Sequence, residues 1–420
     1  MPAAAPRSDR VPGEFRYWDH LERPNVRRVR AIAKRILGFD PAPPDDVVRM
    51  LAAMYYDADP ACEAFVDDVY LAHGTTTGRA MLERALSDGV DAMPDAPASL
   101  HALFADLDRD PPWVDWDRVE RGARAFRRYG TAVFRFAGAI TLEGYNENSV
   151  AKPLALTGAY TGASTRRRFL ETAAFWIAVS EPGGLKPGAP GRGSALRVRV
   201  MHVFVRRKLL SHAAWDLDAW GVPISQADAL LTLMGGSFAP GLAMHLLGYL
   251  PSRADIEAMM HFWRYVGHLM GVRPRWYPTT LRDAAQLSFV TFVKGARLSG
   301  DDGRTLCRSY ALAFRPDPDA SLSLRARLTA ELEHRIHLAY TQLFVTPRSH
   351  RNYGLPPAGP WILAPLIVAP LTAASEIARR LVPGVDAVID RLARRRRARW
   401  FARHMAGRTA EYRPVEQFTR

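Results

Sequence analysis

The sequence predicts an all-α protein, a helical bundle around a sizeable core, and three observations support this. Stretches that begin at Asn25, Asp45 and Val114 repeat apolar residues at intervals of three and four, the period of an amphipathic helix. Strand signals are scarce, since neither a long alternation of apolar and polar residues nor an Asn-Gly hairpin turn occurs. Hydrophobic residues make up 48% of the 420 residues and charged residues 24%, as in ordinary globular proteins.

Local signals indicate where several helices begin. Acidic residues follow Pro44, and Ser164 precedes a long helical pattern. Ser225, with Asp228 three residues later, resembles a capping box. In this motif the side chain of the serine accepts a hydrogen bond from the backbone nitrogen of the residue three positions later. We therefore expect helices to begin at these three places.

Four helices form the predicted central unit. They are a helix that begins near Thr165, a helix that carries His202, and two further helices at residues 225–250 and 254–270. The segment Glu181–Ser194 is rich in Gly and Pro and is predicted to be the loop between the first two helices. It lacks the GxGxxG and GxxxxGK[ST] patterns, so a phosphate-binding loop is not indicated.

Around this unit the chain divides into three predicted domains. A chain of 420 residues is long enough for two or three domains of average size. Residues 1–110 are expected to form an N-terminal helical extension, residues 111–345 the functional domain, and residues 346–420 an apolar and then basic tail.

The chain is strongly basic, with a net charge of +14. This charge predicts attraction to anions, but no recognised nucleic-acid-binding module accompanies it, so no nucleic acid partner is expected. The two cysteines, Cys62 and Cys307, belong to no CxxC or CxxH motif, which argues against structural zinc, c-type haem and thiol redox chemistry. The N-terminal stretch lacks the apolar core of a signal peptide, so we expect a cytoplasmic location.

One histidine lies on an apolar helical stripe between two arginines. Helical spacing places His202 on one face with Val198, Arg199, Val205 and Arg206. Most histidines beside apolar surface are core residues with satisfied hydrogen bonds, and that interpretation stays open. The other interpretation is haem, whose iron takes one proximal imidazole and whose propionates pair with arginines. Zinc would need more ligands at metal spacing, and a serine hydrolase would need a GxSxG motif; neither pattern occurs.

Four stretches resemble a known family in their order and spacing. They are R-R-R-F-L-E-T-A-A-F-W-I-A-V from Arg166, L-R-V-R-V-M-H-V-F-V-R from Leu196, W-G-V-P-I-S-Q-A-D from Trp220 and F-W-R-Y-V-G-H-L-M-G-V from Phe262. With these stretches, the segment from Thr165 to Val272 resembles the catalytic domain shared by two kinds of protein. These are the latex-clearing proteins, which are rubber oxygenases, and the fungal oxygenase that shortens the prenyl chain of a mycophenolic acid precursor.

The resemblance implies a helical bundle with a globin-like core that binds a b-type haem. In rubber-cleaving members, the histidine of the L-R-V-R-x-x-H stretch is the proximal ligand of the iron, which carries over to His202. The arginine and threonine of the preceding helix face the pocket, which carries over to Arg168 and Thr172. Arg199 and Arg206, one turn on either side of His202, are the predicted partners of the haem propionates.

Glu171 marks a departure from the family pattern. Rubber-cleaving members carry a lysine directly before the pocket threonine, whereas this chain has a carboxylate there. The exchange changes the acid/base role available beside the iron, so polyisoprene is not the expected substrate. Glu171 joins Arg168 and Thr172 as a candidate catalytic residue; the alternative is a surface carboxylate favoured by the helix dipole.

The resemblance implies an oxidoreductase, a haem-dependent oxygenase that uses dioxygen on an unsaturated, apolar, isoprenoid- or lipid-like substrate. Cleavage of a carbon–carbon double bond to carbonyl products is the expected reaction. Two alternatives stay open: a basic, membrane-associated helical protein without catalysis, and a haem peroxidase. The peroxidase lacks support because the sequence places no distal histidine–arginine pair.

The tail combines an uncharged stretch with a basic one. Residues 358–375 carry no charge, and their three prolines would interrupt a membrane-spanning helix. The run Arg394–Arg397, beside Trp400, suits an anionic bilayer surface. We expect peripheral contact with the inner face of the membrane without crossing it; the alternative is a basic helix that covers the core.

Overall fold

Almost all regular structure in this protein is α-helical, which confirms the predicted all-α class. The computed structural model describes residues 10–158, 160, 162, 164–317, 321 and 323–405. Within these residues, strand-type pairing is limited to one antiparallel bridge between Phe15 and Gly295.

The helices follow one another with short connections. The N-terminal part contains α1 (Tyr17–Leu21), α2 (Pro24–Leu37), α3 (Asp45–Ala53), α4 (Pro60–Phe65), a π-helix (Val66–Leu71), α5 (Thr75–Asp88) and α6 (Ala98–Asp108). The middle part contains α7 (Trp116–Arg128), α8 (Ala132–Gly144), α9 (Asn148–Thr157), α10 (Ser164–Ser180), α11 (Pro190–Leu210), α12 (Leu217–Trp220), α13 (Gln226–Gly236), α14 (Phe238–Ala243), α15 (Arg253–Leu269) and α16 (Leu281–Lys294). The last part contains α17 (Gly300–Leu312), α18 (Leu324–Phe344), α19 (Pro347–Asn352), α20 (Ala364–Ile367), α21 (Ala369–Leu381) and α22 (Val385–Met405). In the part of the chain that the structure describes, 3₁₀ turns lie at Met54–Tyr56, Val90–Ala92, Met244–Leu247 and Gly359–Leu363.

Helix α15 lies at the centre of the bundle. It packs along α7 and also contacts α11, α13 and α14, and most of its residues are buried. Helices α7 and α15 approach so closely that a Cβ on Gly122 would lie 2.1 Å from the backbone oxygen of Ala258. Only glycine fits at this contact, so Gly122 sets the distance between the two helices.

The three predicted helix starts are confirmed. Helix α3 begins at Asp45, α10 at Ser164, and α13 directly after Ser225. The Oγ atom of Ser225 accepts a hydrogen bond from the backbone nitrogen of Asp228 at 3.1 Å. This bond satisfies a donor that the first turn of a helix leaves without an intrahelical partner.

Two predicted boundaries are wrong. The predicted loop Glu181–Ser194 ends earlier, because α11 already begins at Pro190, whose fixed φ suits the first turn of a helix. The predicted helix at residues 225–250 is divided into α13, α14 and a 3₁₀ turn. The division occurs because Ser237 leaves the helical region, with φ −122° and ψ −76°.

One hydrophobic core extends through all three predicted domains. Its buried members run from Phe15 to Met405 and include Leu100 and Phe262. The N-terminal extension, the functional domain and the tail therefore share packing, and the domain boundaries near residues 110 and 345 stay predictions.

Part of the basic tail packs on the core instead of facing a membrane. Helix α22 contacts α7 and α10, and its Arg397 and Trp400 are buried. Arg397 donates hydrogen bonds to Ser180 Oγ at 3.0 Å and to Glu181 Oε1 at 3.3 Å, and Trp400 Nε1 donates to Glu333 Oε1 at 3.1 Å. Arg397 and Trp400, which the sequence assigned to a bilayer surface, are thus core contacts.

Candidate functional site

Helices α10 and α11 carry all of the predicted site residues and form a helical hairpin. Two glycines, Gly184 in the connecting segment and Gly191 in the first turn of α11, explain how the helices meet. A Cβ on Gly184 would lie 2.4 Å from the backbone oxygen of Ala178, and a Cβ on Gly191 would lie 2.5 Å from the same atom. The glycines therefore allow α11 to start directly against the end of α10, which fixes the two helices relative to each other.

The imidazole of His202 is half-buried and neutral. Burial, and then the charge of Arg206, lowers the pKa of His202 to about 4. Within the described residues its ring nitrogens make no hydrogen bond, in contrast to His268, whose Nδ1 lies 2.7 Å from Arg273 Nη1. A satisfied core histidine would have such a protein partner. His202 instead offers a neutral imidazole, which is the form that binds a metal.

Arg199 is used by protein carboxylates. Its Nε and Nη2 atoms donate to the two carboxylate oxygens of Asp59 at 2.7 and 2.8 Å, and its Nη1 lies 2.8 Å from Asp106 Oδ2. Arg199 and Asp59 are both buried, so solvent screens their attraction weakly. A haem propionate would have to displace Asp59 to reach this guanidinium. The predicted contact of Arg199 with a propionate stays a prediction.

Arg206 holds the backbone that precedes α13. Its Nε donates to the carbonyl of Pro223 at 2.9 Å, its Nη2 to the carbonyl of Ile224 at 2.6 Å, and its Nη1 to Glu63 Oε1 at 3.4 Å. Ile224 has a positive φ of 53°, which is unfavourable for a β-branched residue and needs support from its surroundings. Arg206 therefore supports this turn, and its predicted propionate contact also stays a prediction.

Arg168 and Glu171 form an ion pair on α10. Glu171 is only 4% exposed. Its Oε1 accepts a hydrogen bond from Arg167 Nε and its Oε2 one from Arg168 Nη1, both at 3.2 Å. Glu171 is therefore not a surface carboxylate held only by the helix dipole; two neighbouring guanidiniums position it.

Thr172 connects this ion pair to a residue that the sequence analysis missed. Its Oγ1 donates to the backbone oxygen of Arg168 at 3.0 Å and lies 3.2 Å from the hydroxyl of Tyr160. Because the single proton of Thr172 is used by the carbonyl, Tyr160 donates to Thr172. Burial raises the pKa of Tyr160, so the phenol stays protonated at neutral pH. We call Tyr160, Arg168, Glu171 and Thr172 the α10 cluster.

Other histidines of the central helices are packing residues. His261 and His268, which share a face of α15, both make edge contacts with the ring of Trp113. His261 Nε2 also accepts a hydrogen bond from the backbone nitrogen of Asp115 at 3.2 Å. In the part of the chain that the structure describes, no group of three or more His, Cys, Asp or Glu side chains is arranged to hold a bare metal ion.

The predicted site residues thus fall into two groups. The structure brings Arg168, Glu171 and Thr172 together on α10 and places His202 on the neighbouring helix of the hairpin. Arg199 and Arg206 are directed instead to α4 and to the turn before α13. The imidazole of His202, neutral and without a hydrogen bond among the described residues, could hold the iron of a haem, whereas the two arginines could pair with its propionates only after rearrangement.

Three comparisons relate this chain to known proteins. The profile of the family described as "ER-bound oxygenase mpaB/B'/Rubber oxygenase, catalytic domain" matches residues 126–378, more than half of the chain and a range that contains every predicted site residue. The rubber oxygenase of Streptomyces sp. (strain K30) is 26% identical over 231 residues, which cover 53% of this chain and 54% of the relative. The chain therefore matches about half the length of that curated relative.

The third comparison concerns the fold. A solved structure of Latex Clearing Protein LCP in the closed state superimposes with a TM-score of 0.54 at 21% sequence identity. The match covers 82% of this chain and 91% of that one. It supports the helical architecture and extends to regions of the chain outside the family profile.

Proposed function

The chain belongs to the family of ER-bound oxygenases mpaB/B' and rubber oxygenases, and on this premise we propose that it is a haem b-dependent oxygenase. Its substrates are dioxygen and an unsaturated apolar molecule, isoprenoid or lipid-like. The single observation that carries the proposal is His202, a neutral, half-buried imidazole on the helix hairpin that holds the α10 cluster. This imidazole is suited to hold the haem iron.

The α10 cluster has defined tasks in this proposal. A haem held by His202 would supply the redox chemistry for the reaction of dioxygen with a carbon–carbon double bond. Glu171 takes up a proton from an allylic carbon at one of its carboxylate oxygens, because each oxygen keeps a lone pair beside its arginine bond. It returns this proton as the two carbonyl products form, since addition of dioxygen across the cleaved double bond consumes no net proton. Arg168 orients that carboxylate, and Tyr160 holds the Thr172 hydroxyl in place.

Absorption spectroscopy of the purified full-length protein tests this function. We expect a Soret band and a b-type pyridine haemochrome, together with oxygen uptake and carbonyl products when an unsaturated isoprenoid is added. A protein that stays colourless after haem addition would contradict the proposal and favour the non-catalytic alternative. Turnover driven by hydrogen peroxide, without dioxygen uptake, would favour the peroxidase.

Replacement of Arg168 by alanine is expected to lower turnover by roughly 100-fold, because Glu171 loses the guanidinium that orients one oxygen of a general base. Arg167→Ala is the matched control, since Arg167 binds the other oxygen at the same 3.2 Å but is 52% exposed against 23% for Arg168. Steady-state kinetics, with circular dichroism to verify helix content, measures both variants. Turnover of Arg168→Ala equal to that of Arg167→Ala would contradict the assigned role.

We further propose that the protein works at the cytoplasmic face of a membrane. Among the described residues, two helical stretches are apolar and long enough to span a bilayer, Gln226–Leu247 and Gly359–Leu381. Half of the first is buried, as in a core helix, but only 11% of the second is buried. The second stretch is divided into a 3₁₀ turn, α20 and α21, each with a proline in its first turn, which favours lying on a bilayer over crossing it.

Sedimentation with phospholipid vesicles tests this location. Each arginine near an anionic surface contributes about 1 kcal/mol, so binding at low salt and release at high salt are expected. The exposed arginines of α22 that remain available are Arg391, Arg395, Arg396, Arg399 and Arg403. The double variant Ile367→Asp/Leu371→Asp should bind the vesicles less than the parent protein does. Leu328→Asp, at an exposed leucine of α18, should bind them as the parent protein does. Absence of binding at low salt rejects the proposal, and extraction only by detergent indicates a spanning segment.

A further inference from the structure

A cavity of about 400 Å³ lies between the α10–α11 hairpin and the N-terminal extension. Ala174 and Ala178 of α10 and Ser194 and Met201 of α11 line one side of it. The π-helix and α5 line the other side. None of the predicted haem-site residues borders this cavity, and its volume is in the range of small-molecule sites.

The wall from the N-terminal extension depends on a specific contact. Tyr70, in the π-helix, lies so close to α5 that a Cβ on Gly78 would be 2.4 Å from its ring. Glycine at position 78 therefore lets the tyrosine ring lie directly against α5, and its ring also contacts Phe204 of α11. Single π-helical turns occur frequently at functional sites. This wall lies outside residues 126–378, so the family profile does not describe it.

The lining changes in polarity from the inside to the outside. Tyr70, Leu82 and Val200 are buried and apolar over most of their surface. Arg79 and Glu83, by contrast, are half-exposed, so they form the outer part of the wall. An apolar chain would therefore lie inside, with a polar end group at the rim.

The rim has a net positive charge. Arg197, a third rim residue, donates to both oxygens of Glu83, with its Nε at 2.7 Å and its Nη2 at 2.6 Å. The hydrogen bond from Arg197 lowers the pKa of Glu83, so this carboxylate stays charged and neutralises one guanidinium. Arg79 makes no ion pair or hydrogen bond among the described residues. Its charge also acts on Glu83, one turn along α5, and helps to lower the pKa of that carboxylate, but its nitrogen atoms form no bond to it. These nitrogen atoms are left for a ligand, and a carboxylate is the group that a guanidinium binds in bidentate geometry.

We propose that this cavity is a binding site for an amphipathic carboxylate, with its acyl chain against Tyr70, Leu82 and Val200 and its head group on Arg79. The small side chains of Ala174, Ala178 and Ser194 leave the space for the chain. The site is separate from His202 and needs no haem, so it does not depend on the proposed oxygenase function.

Isothermal titration calorimetry of the full-length protein tests this site, with decanoate below its critical micelle concentration and 1-decanol below its solubility limit as probes. We expect decanoate to bind more tightly than 1-decanol by about fivefold, the effect of one partly exposed ion pair. Arg79→Gln should reduce decanoate binding to the level of 1-decanol. Arg84→Gln, on the same helix but outside the cavity, should leave it unchanged.

Ala178→Leu provides a second, steric test. The larger side chain fills the cavity, so both probes should lose about tenfold or more in affinity. Thermal melts verify folding, and an unchanged Soret absorbance in Arg79→Gln separates this site from the haem site. The inference is overturned if decanoate does not bind, if 1-decanol binds equally well, or if both cavity variants bind decanoate as the parent protein does.

Discussion

Replacing His202 with alanine is expected to remove most of the bound haem while leaving the helical fold intact. In the proposed site His202 is the side chain that would hold the iron, so its loss would leave only contacts to the macrocycle. The fold should tolerate the change, because His202 is half-buried and makes no hydrogen bond within the described residues. The ratio of Soret to protein absorbance, with far-ultraviolet circular dichroism, measures both effects.

Two further variants make the His202 experiment specific. His202→Gly should regain haem absorbance when free imidazole is added, because the small molecule can occupy the vacated position. His245→Ala removes an exposed histidine of the turn after α14 and should retain all haem. Stoichiometric haem with an unchanged spectrum in His202→Ala would show that another residue holds the iron.

The sequence predicts most of the helical architecture because the responsible signals are local. Hydrophobic periodicity and capping need only a few neighbouring residues, as the Ser225–Asp228 bond and the start of α3 at Asp45 illustrate. The predicted helix at residues 254–270 likewise corresponds to α15, Arg253–Leu269.

Boundaries that depend on tertiary packing were not predictable in this way. The composition of Pro190–Ser194 is typical of a loop, but the segment is helical because its glycine at position 191 packs against the backbone of Ala178. Glycine usually disfavours a helix, but it is kept in one where a neighbouring backbone leaves no room for a side chain. The sequence alone does not show which neighbour will come that close.

Among the site residues, too, local patterns are visible in the sequence and contacts made by the fold are not. The α10 cluster is partly visible in the sequence, because Arg168 and Thr172 are four residues apart and share a face. Tyr160 is absent from that pattern, since it precedes the helix and reaches Thr172 through the fold. The sequence places Arg199 one turn before His202, but its partner Asp59 lies 140 residues away and no local pattern predicts that pair.

Replacement of Asp59 by alanine is expected to lower the free energy of unfolding by about 3 kcal/mol, because a buried guanidinium then loses both hydrogen bonds of a bidentate pair. This loss is at the low end of the range for breaking a buried ion pair, because Asp106 still lies beside Nη1 of Arg199. Loss of a helix cap does not add to it, because the Asp59 side chain makes no capping bond to α4. Urea denaturation, followed by circular dichroism, measures the change.

Asp57→Ala is the matched control for this prediction. Asp57 also accepts two hydrogen bonds from one arginine, Arg275, at 2.6 and 2.7 Å, but the side chain of Arg275 is 31% exposed. Solvent screens such a pair, so the control should cost about 1 kcal/mol or less. If Asp59→Ala lowers the free energy of unfolding no more than Asp57→Ala does, Arg199 is not fixed by a structural ion pair and is free to bind a haem propionate. A large loss of stability, with haem content per folded protein unchanged, would instead establish Arg199 as a residue that positions α11 against α4.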